Sequence, residues 1–97
     1  MTLDFTNAAI ADLRSIRSYT LRTWVEKQEQ IYIDSLWNKF EELLADPQRW
    51  KKRNDLFFGC QIATHSKHVI LFRIDHDTFH IVRVLHSAMD FQKQLEI

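Results

Sequence analysis

The chain has 97 residues, of which 45% are hydrophobic and 27% charged, with a single glycine and a single proline. This length and composition are typical of one globular domain, and they exclude a disordered or fibrous chain. Thirteen basic and thirteen acidic residues balance to a net charge of zero, which excludes an overall electrostatic footprint for nucleic acid. We therefore expect any nucleic-acid contact to be local.

The sequence predicts neither a membrane span nor a disulfide. Apolar runs such as residues 69–72 are far shorter than the roughly 18 residues that a membrane helix needs. The N-terminus lacks the pattern of a signal peptide, which predicts a cytoplasmic protein. The lone Cys60 cannot form an internal disulfide or a Cys-rich zinc site, and its apolar flanks favour a packing thiol in a half-buried strand.

The first half of the sequence predicts a short strand and a helical hairpin. Leu3 and Phe5 alternate with polar neighbours, as in a brief strand. Apolar residues then recur every three to four positions over residues 7–23, continuing to Trp24, and again over 26–45, which predicts two amphipathic helices. Thr6 or Asn7 can cap the first helix, and Pro47 predicts the end of the second.

The second half changes to a period of two, with many β-branched and aromatic residues. This pattern predicts strands at 56–63, 67–74 and 78–86, with turns at 64–66 and 75–77. Residues 87–97 are expected to form one turn or a short helix. The order of elements predicts an α+β fold, in which the helical hairpin packs on one face of a mainly antiparallel sheet.

The turn at 75–77 predicts a register in which Ile74 pairs with Thr78. The helices would then pack on a face formed by Ile70, Phe72, Ile74, Val82 and Val84. The other face, which we call the arginine face, would carry Val69, Leu71, Arg73, Phe79, Ile81, Arg83 and Leu85. An apolar surface of this size seldom stays in water, so we expect the C-terminal segment, a second copy of the chain or a different protein to cover it.

Three groups of side chains suggest binding sites. His65 with His68, and His76 with His80, have ligand-like spacing, but no cysteine or paired carboxylate completes a tetrahedral set, so neither a metal nor another cofactor is expected. The helices cannot bury every apolar residue, which leaves Ile33 and Trp37 as a candidate partner or self-association surface. A basic cluster is either a solvated loop or a loop that binds a partner or phosphate, and it comprises Arg49, Lys51, Lys52 and Arg53 around Trp50.

Several strings, spread over nearly the whole chain, resemble the ParE branch of the ParE/RelE toxin family. The strongest are residues 68–74 (HVILFRI) and 81–86 (IVRVLH) at their mutual spacing. The others are Phe5 and Thr6 with Ala9, Asp12, Leu13 and Ile16; Tyr19 and Thr20 with Trp24, Glu26, Gln28 and Tyr32; Phe40, Leu44 and Pro47; Asp55, Leu56 and Gly59; and Met89, Asp90 and Leu95. Cys60, Gln61 and Trp50 depart from the family pattern.

The resemblance implies a RelE/ParE-like fold and a toxin of a type II toxin–antitoxin system, neutralised by an antitoxin whose C-terminal segment wraps over it. ParE members typically poison DNA gyrase, whereas RelE members cut messenger RNA on the ribosome. One fold thus carries two classes of function, so the choice between them depends on whether catalytic residues are present. RNA cleavage needs an acid or base and several cations, for which Arg73, Arg83 and His86 are the candidates.

These candidates are few for a site that cleaves RNA, so we predict a toxin that binds DNA gyrase and performs no chemistry of its own. The alternatives are a ribosome-dependent messenger-RNA endoribonuclease and a toxin fold whose target differs or has been lost. Expected partners are the cognate antitoxin and DNA gyrase, with a homodimer or a larger toxin–antitoxin assembly possible. No membrane is expected as a partner, and the chain alone is not expected to bind nucleic acid stably.

We expect Arg83, in mid-strand, to need an acidic partner, which the antitoxin could provide. The predicted antitoxin- or target-binding residues are Arg73, Phe79, Ile81, Arg83, Leu85, Met89, Asp90, Phe91, Ile33 and Trp37.

Overall fold

The computed structural model describes residues 2–23, 26–46 and 49–95. Within these ranges the chain forms three helices and five strands. In chain order they are β1 (Thr2–Phe5), α1 (Asn7–Thr23), α2 (Glu26–Ala45), β2 (Lys51–Lys52), β3 (Gln61–His65), β4 (His68–Asp75), β5 (Thr78–His86) and α3 (Phe91–Leu95). None of the helices in these ranges is long and apolar enough to cross a membrane.

The strands form one sheet in the order β1-β5-β4-β3-β2. β2 to β5 run antiparallel to their neighbours, whereas β1 pairs in parallel with β5 at the far edge, Thr2 opposite Thr78 and Phe5 opposite Ile81. The helical hairpin connects β1 to the remainder of the sheet and packs on one face. The predicted α+β fold and the presence of both long helices and the short C-terminal helix are confirmed.

Periodic apolar residues seat the helices on the sheet. Ile16 of α1, and Leu36 and Phe40 of α2, are buried in one cluster with Phe72 and Phe79 of the sheet. The Thr6 hydroxyl accepts a hydrogen bond from the N–H of Ala9 at 3.0 Å and donates one to the carbonyl of Val82 at 2.6 Å, so it caps α1 and ties that end to β5. Trp24 and Pro47, which entered the predicted helix boundaries, lie outside the described residues.

The predicted register of β4 and β5 is wrong by one residue from Phe72 to Asp75 and by two residues from His68 to Leu71. The hairpin turn contains two residues, because Asp75 pairs with Thr78, and Ile74 therefore faces Phe79. A one-residue shift moves side chains to the other face of a sheet. Phe79 and Ile81 consequently lie in the core beneath the helices, fully buried, and not on the arginine face.

A bulge then restores the predicted faces along the second half of β5. Phe72 pairs with Ile81 but Leu71 pairs with Arg83, so Val82 is the extra residue. Arg83 and Leu85 therefore share a face with Val69 and Leu71, as predicted. The turn that precedes β4 also contains two residues, because His65 pairs with His68.

The arginine face is covered by the chain itself. Cys60, Val69, Leu71 and Leu85 are buried in a second cluster, against which Phe91 and Leu95 of α3 pack. Leu56, Phe57 and Ile62 complete this second cluster. The predicted strand at 56–63 begins only at Gln61, and residues 53–60 form a loop that packs here instead. Of the three expected covers, the C-terminal segment is therefore the one observed.

Candidate functional site

The bulge in β5 places Arg83 beside a carboxylate of α1. Nε and Nη2 of Arg83 donate to the two oxygens of Asp12 at 2.7 and 2.9 Å, in a bidentate ion pair. The same Asp12 carboxylate accepts the backbone N–H of Val84 at 3.0 Å. Asp12 thus occupies the edge of β5 just beyond the point where β1 ends, and it fixes α1 there.

The Arg83 guanidinium also reaches α3. Its Nη1 donates to the carbonyl oxygen of Gln94 at 2.7 Å, so one side chain joins α1, β5 and the C-terminal helix. The hydrogen bonds to Asp12 raise the pKa of Arg83 above its ordinary value. The expectation that an antitoxin supplies the acidic partner of Arg83 is therefore wrong, because Asp12 supplies it.

The three residues considered for RNA cleavage have separate partners. Arg73 pairs with Asp75 at 3.4 Å, whereas Arg83 pairs with Asp12. His86 Nδ1 accepts the backbone N–H of Ala88 at 3.1 Å, and its ring lies edge-on to His68. The two arginines therefore bind different carboxylates and do not converge on a single anion.

The predicted binding residues of the C-terminal segment differ in their surroundings. Phe91 packs into the second cluster, and Asp90 accepts the backbone N–H of Lys93 at 3.2 Å as the cap of α3. Met89 is 45% exposed. Leu85 is buried, so among the predicted binding residues of this segment only Met89 and Asp90 are exposed. Glu96 and Ile97 lie outside the described residues.

An apolar groove runs between α1 and α2 and is open to solvent. It has a volume of about 350 Å³, and Phe5 of β1 contributes to its lining. Both helix residues predicted as a partner surface, Ile33 and Trp37, line it. The remaining lining residues, which we did not single out as binding residues, are Ile10, Leu13, Arg14, Arg17, Leu36 and Phe40. We call this site the α1–α2 groove.

Aromatic rings form part of the groove. The ring of Trp37 packs edge-on against Phe5 and Phe40, with centroids 5.5 and 5.4 Å apart. Phe40 is fully buried, but Trp37 remains 46% exposed. An indole held in place by two rings yet half open to water is the type of side chain that contributes most to protein–protein binding.

The groove also carries positive charge. Arg14 and Arg17 line it, and both are exposed. Arg17 pairs through Nε with Glu29 of α2 at 3.1 Å; the Glu29 side chain is 4% exposed, whereas that of Arg17 is 66% exposed. Arg14 and Arg17 are three residues apart on α1, so they lie on the same side of the helix, and this spacing is visible in the sequence.

A polar cluster lies where α2 meets the turn between β3 and β4. The Tyr32 hydroxyl is hydrogen-bonded to Nδ1 of His68, and the Ser35 hydroxyl lies 2.9 Å from Nε2 of His65. Burial lowers the pKa of both histidines; for His68 the neighbouring His86 and His65 add to the effect, and for His65 the nearby Lys39 does. No group of histidine, cysteine and carboxylate side chains among the described residues is arranged to hold a metal.

These lowered pKa values predict that acid destabilises the fold. The unfolded chain takes up protons at histidine near pH 6.5, before the folded chain does, so the unfolded state binds more protons below that pH. The stabilisation is present above about pH 6.5 and is lost as the pH falls towards the lowered folded values. We expect the thermal midpoint to fall between about pH 7.5 and pH 5.5, and His68→Asn to reduce that fall.

A matched control is His76→Asn, which removes a histidine whose side chain is 95% exposed. The thermal midpoints of both variants are measured by circular dichroism during heating at about pH 7.5 and pH 5.5. An unchanged slope in His68→Asn would contradict the assignment to this cluster.

Comparison with known proteins identifies the family. Residues 3–91 match the model of the family described as ParE toxin of type II toxin-antitoxin system, parDE. The chain is 33% identical over 92 residues to Toxin ParE of Escherichia coli, covering 93% of this chain and 88% of that protein. It is 27% identical over 89 residues to Toxin ParE1 of Mycobacterium tuberculosis, covering 91% of each.

A solved structure supports the fold assignment. The chain superposes with a TM-score of 0.77 on a chain described as the chromosomal ParDE TA system from P. aeruginosa, at 18% identity, covering 89% of this chain and 95% of that one. The family match spans the strand, the hairpin and the sheet described above, including Asp12, Arg83 and the groove residues. The chain belongs to the ParE toxin family and is the toxin component of a type II toxin–antitoxin system.

Proposed function

We propose that the α1–α2 groove binds the antitoxin, and that the toxin acts by binding DNA gyrase without chemistry of its own. The observation that carries the first part is the half-exposed Trp37 in an open apolar groove. An apolar groove of this kind seldom stays exposed to water on a protein that has no partner. A toxin of this family has an antitoxin as its partner, which could fill the groove.

The chemistry of the groove favours a particular antitoxin segment. Its apolar lining suits a row of aliphatic or aromatic side chains from a helix or an extended strand. Arg14 favours carboxylates beside that row, because complementary charge steers association and fixes the register of the bound segment, whereas Arg17 already pairs with Glu29. The expected ligand is therefore an amphipathic antitoxin segment with acidic residues along one side.

Action on the target by binding is supported by the way the cations are distributed. Arg73 and Arg83 pair with different carboxylates, so they are poorly arranged to stabilise one phosphorane. The net charge is zero, which gives ribosomal RNA little to attract. Both observations favour a protein target over RNA cleavage, and gyrase is the protein target that the family resemblance implies.

Trp37→Ala is expected to weaken binding of the cognate antitoxin by about 30-fold, because it removes a central aromatic contact. The matched control is Ile31→Ala, on the same helix, which is 60% exposed and does not line the groove. Isothermal titration calorimetry with the purified antitoxin would measure both dissociation constants. Equal losses in the two variants would contradict the groove as the binding site.

The target is tested with purified toxin in two assays. Toxin added to gyrase and plasmid DNA should cause cleaved DNA complexes to accumulate, while messenger RNA in a translating extract stays intact. Messenger-RNA cleavage that disappears in His86→Ala or Arg73→Ala would refute action by binding. Arg83→Ala is unsuitable for this purpose, because it also removes the ion pair that joins α1 to β5.

A further inference from the structure

The loop at residues 53–60, which we call the Phe58 loop, is held in one conformation. Its ends are joined by a hydrogen bond from the N–H of Arg53 to the carbonyl of Cys60 at 2.8 Å, and the N–H of Cys60 donates to the carbonyl of Phe57 at 3.1 Å. The Asn54 side chain accepts the N–H of Gly59 at 2.9 Å, where glycine has a φ of +79°. The backbone is therefore fixed across the loop.

Side chains anchor the underside of the Phe58 loop. Leu56 and Phe57 pack against the second cluster, where Cys60 is buried. The guanidinium of Arg53 forms a bidentate pair with Asp55 at 2.9 and 2.8 Å. Apolar packing below and hydrogen bonding within the loop leave little conformational entropy for a partner to remove.

On this rigid support Phe58 is 95% exposed. A single exposed apolar residue is ordinary on protein surfaces. Here, however, the two preceding residues are packed while Phe58 alone points outward, beside a hollow of about 380 Å³ that Lys52, Asn54 and Ile74 also line. A protruding ring on a preorganised loop, next to a concave surface, has the form of an anchor residue in a protein interface.

The charges beside Phe58 indicate the chemistry of the partner. Arg53 is neutralised by Asp55, and Arg49 pairs with Glu42 and stacks on Trp50. Lys51 and Lys52 of β2 are exposed and pair with no carboxylate among the described residues. Because successive residues of a strand point to opposite faces, Lys52 lies on the side of the hollow that Phe58 also lines, whereas Lys51 lies on the other face. The surface thus presents one aromatic ring and one available cation, with half of the basic cluster already compensated.

This balance favours an acidic protein surface over nucleic acid. Binding to a phosphate backbone relies on many uncompensated cations, and both arginines of the cluster are engaged internally. An apolar pocket bordered by a few carboxylates requires only what the loop presents. The sheet order also separates the two surfaces, because β2 and β1 form opposite edges and Phe5 of β1 lines the α1–α2 groove.

We propose that the Phe58 loop, with Lys52, is a second docking surface, which inserts Phe58 into an apolar pocket bordered by acidic side chains on the toxin's target protein. This rests on the proposed function in taking the target to be a protein. Because none of the described residues lines both the hollow beside Phe58 and the α1–α2 groove, we expect the antitoxin and the target to occupy different parts of the toxin.

The test uses the full-length chain, with purified gyrase as the probe. Phe58→Ala should weaken gyrase binding by about 30-fold and abolish growth arrest, while antitoxin affinity and the thermal midpoint stay at the wild-type values. Replacing Lys52 by glutamate should weaken target binding most at low salt. The matched control is Tyr19→Ala, which removes an aromatic residue that is 61% exposed on α1 and should change none of these quantities.

The outcomes separate this inference from the proposed function. If the wild-type chain does not bind gyrase, the gyrase proposal fails, and growth arrest in cells then decides the inference: loss of arrest in Phe58→Ala supports it, and full arrest overturns it. Gyrase binding that is unchanged in Phe58→Ala also overturns it. So does a wild-type dimer, or binding to duplex DNA without protein, that depends on Phe58.

Discussion

Asp12→Ala is expected to lower the free energy of unfolding by about 3 kcal/mol, because it leaves two strong donors without an acceptor. The side chains of Arg83 and Asp12 are only 18% and 14% exposed, so water replaces the lost carboxylate poorly. The N–H of Val84 loses its acceptor at the same time. The effect should appear as a lower urea midpoint with little change in slope.

Two comparisons isolate the cause of this loss. Asp12→Asn keeps an oxygen for the N–H of Val84 while removing the charge, so it should lose less stability than Asp12→Ala. Arg73→Ala removes an arginine from a pair whose side chains are 41% and 49% exposed, and should cost no more than about 0.5 kcal/mol. Equal losses in Asp12→Ala and Arg73→Ala would show that the Arg83 pair contributes no more than a surface ion pair.

A double variant is a further check on the ion pair between Asp12 and Arg83. Adding Arg83→Leu to Asp12→Ala removes the guanidinium that Asp12→Ala leaves unpaired. The double variant should therefore be more stable than the sum of the two single effects predicts. Strict additivity would mean that the two side chains do not interact in the folded protein.

The helices were predictable because their evidence is local. The apolar spacing over residues 7–23 and 26–45 depends only on the helical period, and α1 and α2 have those bounds. The partner of Arg83 was not predictable in the same way. Asp12 lies 71 residues away in sequence and reaches Arg83 only because α1 packs against β5.

The register of β4 against β5 was harder to predict than the helices. Turn length decides register, and a two-residue turn at His76 and Asp77 is hard to distinguish in sequence from a three-residue turn, since His76 adopts a positive φ without being glycine. The bulge at Val82 shifts the register by a second residue, which returns Arg83 and Leu85 to the predicted face but gives them other partners in β4. The groove was only partly predicted. Ile33 and Trp37 could be singled out because they lie off the main apolar stripe of α2. The apolar residues of α1 that line the groove could not, because they belong to the stripe that the sequence assigns to the core.

Phe40→Ala is expected to cost about 4 kcal/mol, a large share of the stability of a domain of this size. Phe40 is fully buried, and its ring packs against those of Phe5 and Trp37, so truncation opens a cavity beneath the α1–α2 groove. Trp37→Ala is the matched control, since it removes a larger ring that is 46% exposed and should cost far less. Urea unfolding of both variants measures the difference.

The antitoxin should affect these two variants differently. A partner that binds only the folded state stabilises it by mass action, by about 4 kcal/mol at a concentration 1,000-fold above the dissociation constant. Phe40→Ala keeps the indole of Trp37 but removes one of the two rings that pack against it, so saturating antitoxin should recover part of its lost stability. Without antitoxin, Trp37→Ala should be nearly as stable as the wild type. With antitoxin, its free energy of unfolding should rise much less. Recovery in both variants to the same extent would place the antitoxin elsewhere on the toxin.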